Sequence, residues 1–109
     1  MISARQIAEI LSLYRKHGWN LRRVLLSERL KASLSGSLEQ LFGAAEIRPA
    51  EIDAVWFSRP ARGDQEAWEL RRLTETPYAL MEMFDADDED EIREESLSET
   101  EARLKNLQK

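Results

Sequence analysis

Between Ile52 and Phe84 three runs separated by turn residues show a period-two pattern, a spacing that suits a pleated strand and denies a helix any single apolar face. In the first run Ile52, Ala54 and Trp56 form one alternating set, and Val55 and Phe57 the other. A strand apolar on both faces belongs inside a sheet. In the second run Trp68 and Leu70 alternate with Glu69 and Arg71, the mark of a half-buried strand. "YALMEMF" makes a third run. The pattern predicts consecutive antiparallel strands over 52–57, 68–73 and 78–84. "SRPARGDQE", with Pro60 and the Gly63-Asp64 pair, and "TETP" supply the connections, the first as a long hairpin loop. Trp56 and Trp68 are accordingly expected in the core rather than at a binding surface.

The residues before this sheet read as helices. Ser3 and Gln6 form a capping box for a helix over 3–17, and Ile7, Ile10, Leu11 and Tyr14 share one stripe of it. Arg15, Lys16 and His17 crowd its last turn, where cations suit the helix dipole, and Gly18 ends it. "WNLRRVLLS" admits two readings. Either Asn20 caps a second helix reaching Leu30, or residues 21–26 form a buried strand and Ser27 caps a helix beginning "ERLKASL". Val24, Leu25 and Leu26 in succession lack a helical face, which favours the strand. Ser37 and Gln40 frame a short helix that turns Leu38, Leu41 and Phe42 inward and stops at Gly43. Pro49 points to an edge position or a bend just beyond it.

After Phe84 the composition turns acidic. In "DADDEDEIREESLSETEARLKNLQK" Asp87 and Asp88 favour a helix start, and Glu99–Arg103 and Glu101–Lys105 are spaced four apart in the stabilising order. Leu97, Thr100, Leu104 and Leu107 step by three, four and three and make a narrow apolar seam. The expectation is an acidic helix that docks on basic surface, of its own domain or of a second copy. Arg5, Arg15, Lys16, Arg22 and Arg23 are the offered counter-charges.

A chain of 109 residues suffices for one domain. We place an α+β domain over 1–86 and an acidic C-terminal helix or tail over 87–109. With no cysteine, disulfides, thiolate metal sites and cysteine nucleophiles are all excluded. The N-terminus has no apolar region of the signal-peptide kind, and no run of about 18 apolar residues occurs, so a cytoplasmic protein without membrane contact is expected. The net charge of −5 conceals a gradient: residues 1–34 balance to +5, residues 35–84 to −4 and residues 85–109 to −6. The basic end suits an anion or nucleic acid, or is neutralised by the acidic end.

Few residues carry a chemical signature. His17 is the only histidine and sits where a helix-capping histidine sits. The four glycines are scattered, so neither a dinucleotide fingerprint nor a phosphate loop is present. "DADDED" fails as a calcium loop, because its sixth and twelfth positions hold Asp90 and Ser96 in place of glycine and glutamate. "LYRKHGWNLRRVLLSERL" resembles the first half of the helix-turn-helix of bacterial enhancer-binding regulators. It departs where the turn before the recognition helix normally holds glycine, at Ser27, Glu28 and Arg29. Asp53 followed by Glu69-Leu70-Arg71 resembles the metal-dependent nucleases of the PD-(D/E)xK type. That likeness implies Asp53 and Glu69 as magnesium ligands, with Arg71 at the position of the usual lysine. An arginine stays protonated and cannot serve as a base. The plain alternative is a cross-strand Glu–Arg pairing on a solvated face.

The combined expectation is an α+β fold: an N-terminal helix and short helices packed on a three- to four-stranded, mostly antiparallel sheet, followed by the acidic helix. The function expected first is a small, non-catalytic, self-associating protein-interaction module, a homodimer needing neither cofactor nor metal. The alternative is a nucleic-acid-associated protein. It would bind through Arg22, Arg23, Arg29 and Lys31 beside Arg59 and Arg62, or act as a degenerate nuclease through Asp53 and Glu69. A continuous exposed patch of those cations favours the alternative, and an acidic helix lying over them disfavours it.

Overall fold

In the computed structural model, which describes residues 1–107, Ser3 and Gln6 exchange both hydrogen bonds of a capping box and open helix α1 (Ala4–Lys16). The chain leaves α1 through Gly18 at φ 87°, a left-handed conformation that a residue without Cβ adopts freely. Then follow β1 (Asn20–Leu26), α2 (Glu28–Ser33), α3 (Leu38–Phe42), β2 (Glu46–Pro49), β3 (Ala54–Pro60), β4 (Gln65–Arg72), β5 (Ala79–Asp85) and α4 (Asp90–Leu107). The fold class is α+β. The last two residues of the expected acidic segment lie outside the described residues.

One sheet holds the strands in the order β2-β1-β3-β4-β5, antiparallel except for the β1–β2 pair. Five strands replace the three or four expected. β2 escapes a sequence reading because four residues are too few to establish alternation. Its parallel pairing with β1 also needs a long crossover, which α2 and α3 provide. The three strands read from periodicity are all present with shifted ends. The expected nine-residue loop contracts to four residues, because β3 runs on to Pro60, opposite Glu66. Gly63 at φ 58° makes the turn.

β1 settles the ambiguous "WNLRRVLLS" as strand, so no second helix follows α1 and the helix-turn-helix geometry is absent there. Ser27 caps α2, its hydroxyl accepting from the Leu30 amide at 3.2 Å. Ser37, by contrast, makes no capping hydrogen bond to α3, so the expected box with Gln40 does not form. α4 begins at Asp90 rather than at Asp87 or Asp88, because those two residues belong to a turn in which Asp88 accepts from the Asp85 amide at 2.9 Å.

The sheet is covered on both faces. α1, α2 and α3 lie on one, where Ile7, Leu11, Leu30, Leu34 and Phe42 meet Val24, Leu26, Val55 and Phe57. α4 lies on the other, where Leu97 and Leu104, both fully buried, meet Leu25, Trp56, Trp68 and Leu70. Trp56 and Trp68 are buried as expected and touch edge to face at 6.1 Å. A bulge in β1 reconciles its sequence with two covered faces. The β1–β3 register slips between Leu21 and Arg23, so Leu21, Val24 and Leu26 join the α1 side while both Arg22 and Arg23 reach the α4 side.

Candidate protein interface

The residues singled out from sequence do not converge on one site. Asp53, at the entrance of β3, accepts the Ser27 amide at 2.7 Å and the Ser27 hydroxyl at 3.2 Å, and so braces the start of α2. Glu69 accepts the Tyr14 hydroxyl of α1. In the β3–β4 register Glu69 stands opposite Phe57, four residues from Asp53, which is about 13 Å along a strand. The two carboxylates are thus held apart, each by a different element. Arg71, two residues further along β4, is buried and donates to the Arg72 carbonyl.

The cations are likewise divided. Arg23 is only 7% exposed and lies beneath α4, where it meets Glu94 at 2.5 Å, Glu46 at 3.1 Å and Glu101 at 3.9 Å. Burial works against its charge, but the hydrogen bonds and charges of Glu94 and then Glu46 outweigh burial and raise its pKa. The hydrogen bond from Arg48, followed by that from Arg23, holds Glu46 below the ordinary carboxylate value. Arg22 stacks on Trp68 at 4.6 Å and donates to the Ser58 hydroxyl. Arg59 lies on the opposite side, over Trp19 at 4.5 Å, with a hydrogen bond to the His17 carbonyl. Arg62 is exposed in the β3–β4 turn, and Arg29 and Lys31 are exposed on α2. With Arg23 buried and Arg22 and Arg59 on opposite faces of the sheet, the six cations do not share one exposed surface.

Arg59 borders an open groove of about 400 Å³ whose other walls are Leu13, Tyr14, His17, Trp19 and Glu69. Tyr14 stacks on Phe57 at 4.1 Å. Burial, then the hydrogen bond to Glu69, keeps its hydroxyl protonated far above the ordinary tyrosine value. The Tyr14–Glu69 contact therefore holds α1 to β4. Asp85, Asp87 and Asp88 bring carboxylate oxygens within 4.8 Å of one another, and the turn itself accounts for Asp88.

β5 is one of the two edge strands of the sheet. Arg72 N–H donates to the Tyr78 carbonyl and Ala86 N–H to the Asp64 carbonyl, so the even-numbered residues of β5 face β4. The odd-numbered ones turn their backbone groups outward. Of these, Asp85 already spends its N–H on Asp88. Ala79, Met81 and Met83 keep theirs for solvent or a partner. Their side chains stand on the α1 side, opposite Arg71, Glu69 and Ala67, beyond the reach of α1. Met81 is 53% and Met83 45% exposed, with Tyr78 exposed at the strand's start and Leu13 exposed on the neighbouring helix. The opposite edge is guarded: β2 is short, ends in Pro49 and carries the paired charges Glu46 and Arg48.

No match emerges from comparison of this chain with protein-family models, curated proteins or solved structures.

Among the described residues no helix is long and apolar enough to cross a membrane. Sequence reasoning took "YALMEMF" for an ordinary strand and missed its edge position. The signal available was Met81 and Met83 on one alternating set.

Proposed function

We propose that this chain is a small cytoplasmic, non-catalytic protein-interaction module. Residues 1–86 form its body, the acidic segment from 87 is its cover, and the β5 edge is its contact surface. The observation that carries the reading is the coincidence of unpaired backbone groups with exposed Met81 and Met83 on one side of that edge. A strand with free N–H and C=O groups is a template for another strand, and most sheets guard against this with charge, proline or brevity. Methionine adapts its shape to a partner at little cost. The engagement of Asp53 with Ser27 and of Glu69 with Tyr14 supports a non-catalytic role. The covering of Arg23 by Glu94 and Glu101 supports protein over nucleic acid as the partner.

The test is photo-crosslinking in the cell of origin, with a photoreactive phenylalanine analogue in place of Met81 and, as control, of Lys16 on the exposed side of α1. Crosslinks to protein from position 81 and not from position 16 are expected. Crosslinks to nucleic acid, or none above the control, would reject the reading.

A further inference from the structure

We infer that the partner strand on β5 is β5 of a second copy, antiparallel and centred on Met81, so that the two sheets become continuous. This rests on the interaction reading above and adds the partner and the register to it.

The backbone decides the register. A two-fold axis through Met81 sets Met81 opposite its own copy, Ala79 opposite Met83, and Pro77 opposite Asp85. All three outward-facing residues of β5 with free groups then exchange hydrogen bonds. At either end the match is closed by chemistry rather than by a clash. Pro77 has no N–H to leave unpaired, and the N–H of Asp85 is already taken by the Asp88 carboxylate. Shifting the axis to Met83 would set Met81 opposite Asp85, whose N–H is engaged, and would leave Ala79 without a partner.

The side chains suit the same axis. On the α1 side Met81 meets Met81, flanked by Ala79 and Met83. On the α4 side Glu82 meets Leu80, so no carboxylate faces its own copy across the pair. The Glu82 carboxylate is already satisfied by the Thr100 hydroxyl of α4 at 2.7 Å. Such self-complementarity is what a two-fold contact between identical chains requires. A single strand pair is a small contact for a specific complex, so a dissociation constant on the order of 10–100 μM is expected. Each chain carries a net charge of −5, and like charges repel. Association through an edge strand that carries carboxylates and no cation should therefore tighten as salt rises, because screening removes the repulsion. A contact made by opposite charges would do the reverse.

The chain has no cysteine, which permits a direct test of register. Met81→Cys places two thiols across the axis, where hydrogen-bonded antiparallel partners have Cα atoms about 5.5 Å apart, within disulfide reach. Met83→Cys places them four residues apart, about 14 Å along the strands and out of reach. Under mild oxidation Met81→Cys should form a covalent dimer at least tenfold faster than Met83→Cys. Sedimentation of the unaltered chain should show a dimer forming over the micromolar range, more readily at high salt. Met81→Lys, which sets two cations on the axis, should remain a monomer with unchanged melting. Equal crosslinking of the two cysteine variants would overturn the register. A monomer at several hundred micromolar, or an unweakened dimer of Met81→Lys, would overturn the second copy as partner. If in that case position 81 still crosslinks to another protein, the interaction reading stands without this partner. If it crosslinks to none, both fall.

Discussion

Trp56 is fully buried, and its indole N–H donates to Glu101 of α4 at 2.8 Å, so a core residue doubles as an anchor for the covering helix. Trp56→Ala should cost about 3–5 kcal/mol in denaturant unfolding, the range for a large aromatic lost from a core. Trp68, packed by Phe84 at 6.1 Å, should show a loss of similar size. Melting like the unaltered chain would contradict the core assignment. Tyr14 makes a prediction in pH. Its folded pKa lies above the ordinary 10.0, so its contribution is full below pH 10 and is lost as pH rises beyond it, when the unfolded chain releases the proton first. Tyr14→Phe should flatten the decline in stability above pH 10, as measured by urea midpoints. Glu46 has the opposite sign. Its folded pKa lies below 4.5, so its contribution is present above that value and disappears as pH falls through the folded pKa. Being mostly solvated, it should change the acid limb only slightly, and Glu46→Gln tests that.

At the level of elements, α4 combines weak apolar contact with charge. Leu97, Thr100 and Leu104 of the expected seam are buried, while Leu107 is exposed. The helix docks on its own chain, and Arg23 alone among the five offered cations pairs with it. Arg5 instead pairs with Glu9 of its own helix, on the opposite side of the sheet. Arg48 to Glu94 at 3.7 Å and Lys105 to Glu51 add pairs outside the expected set. Leu104→Ala should cost about 2–5 kcal/mol. Exposed pairs contribute about 0–1 kcal/mol each and are screened, so rising salt should lower the unfolding free energy modestly without releasing the helix. Amide exchange over residues 97–104 should be slow at any salt; fast exchange there would mean that α4 is a free tail. A chain ending at Phe84 would bare Trp56, Leu25 and Leu70 and should bind a hydrophobic dye that the full chain ignores.

Across the whole molecule, period-two alternation in residues 52–84 and the capping box at Ser3 were enough to predict an α+β fold, because both are local. A pleat exposes every second side chain, and a capping box closes within four residues. The same locality made the tryptophans legible as core and left β2 invisible. What the tertiary structure decided was long-range. The bulge that sends Arg22 and Arg23 to the same side exists because Leu21, Val24 and Leu26 are all needed on the other. Asp53 and Glu69 look like a pair in sequence, yet the β3–β4 register sets Glu69 opposite Phe57, four residues from Asp53, and each carboxylate is engaged by a different element. The acidic helix covers the sheet because Leu97 and Leu104 find an apolar face prepared by three strands, a face no single segment displays. The order of strands, finally, made β5 an edge. Edge and centre differ only in whether a neighbour is present, and that is a property of the assembled sheet rather than of any stretch of seven residues.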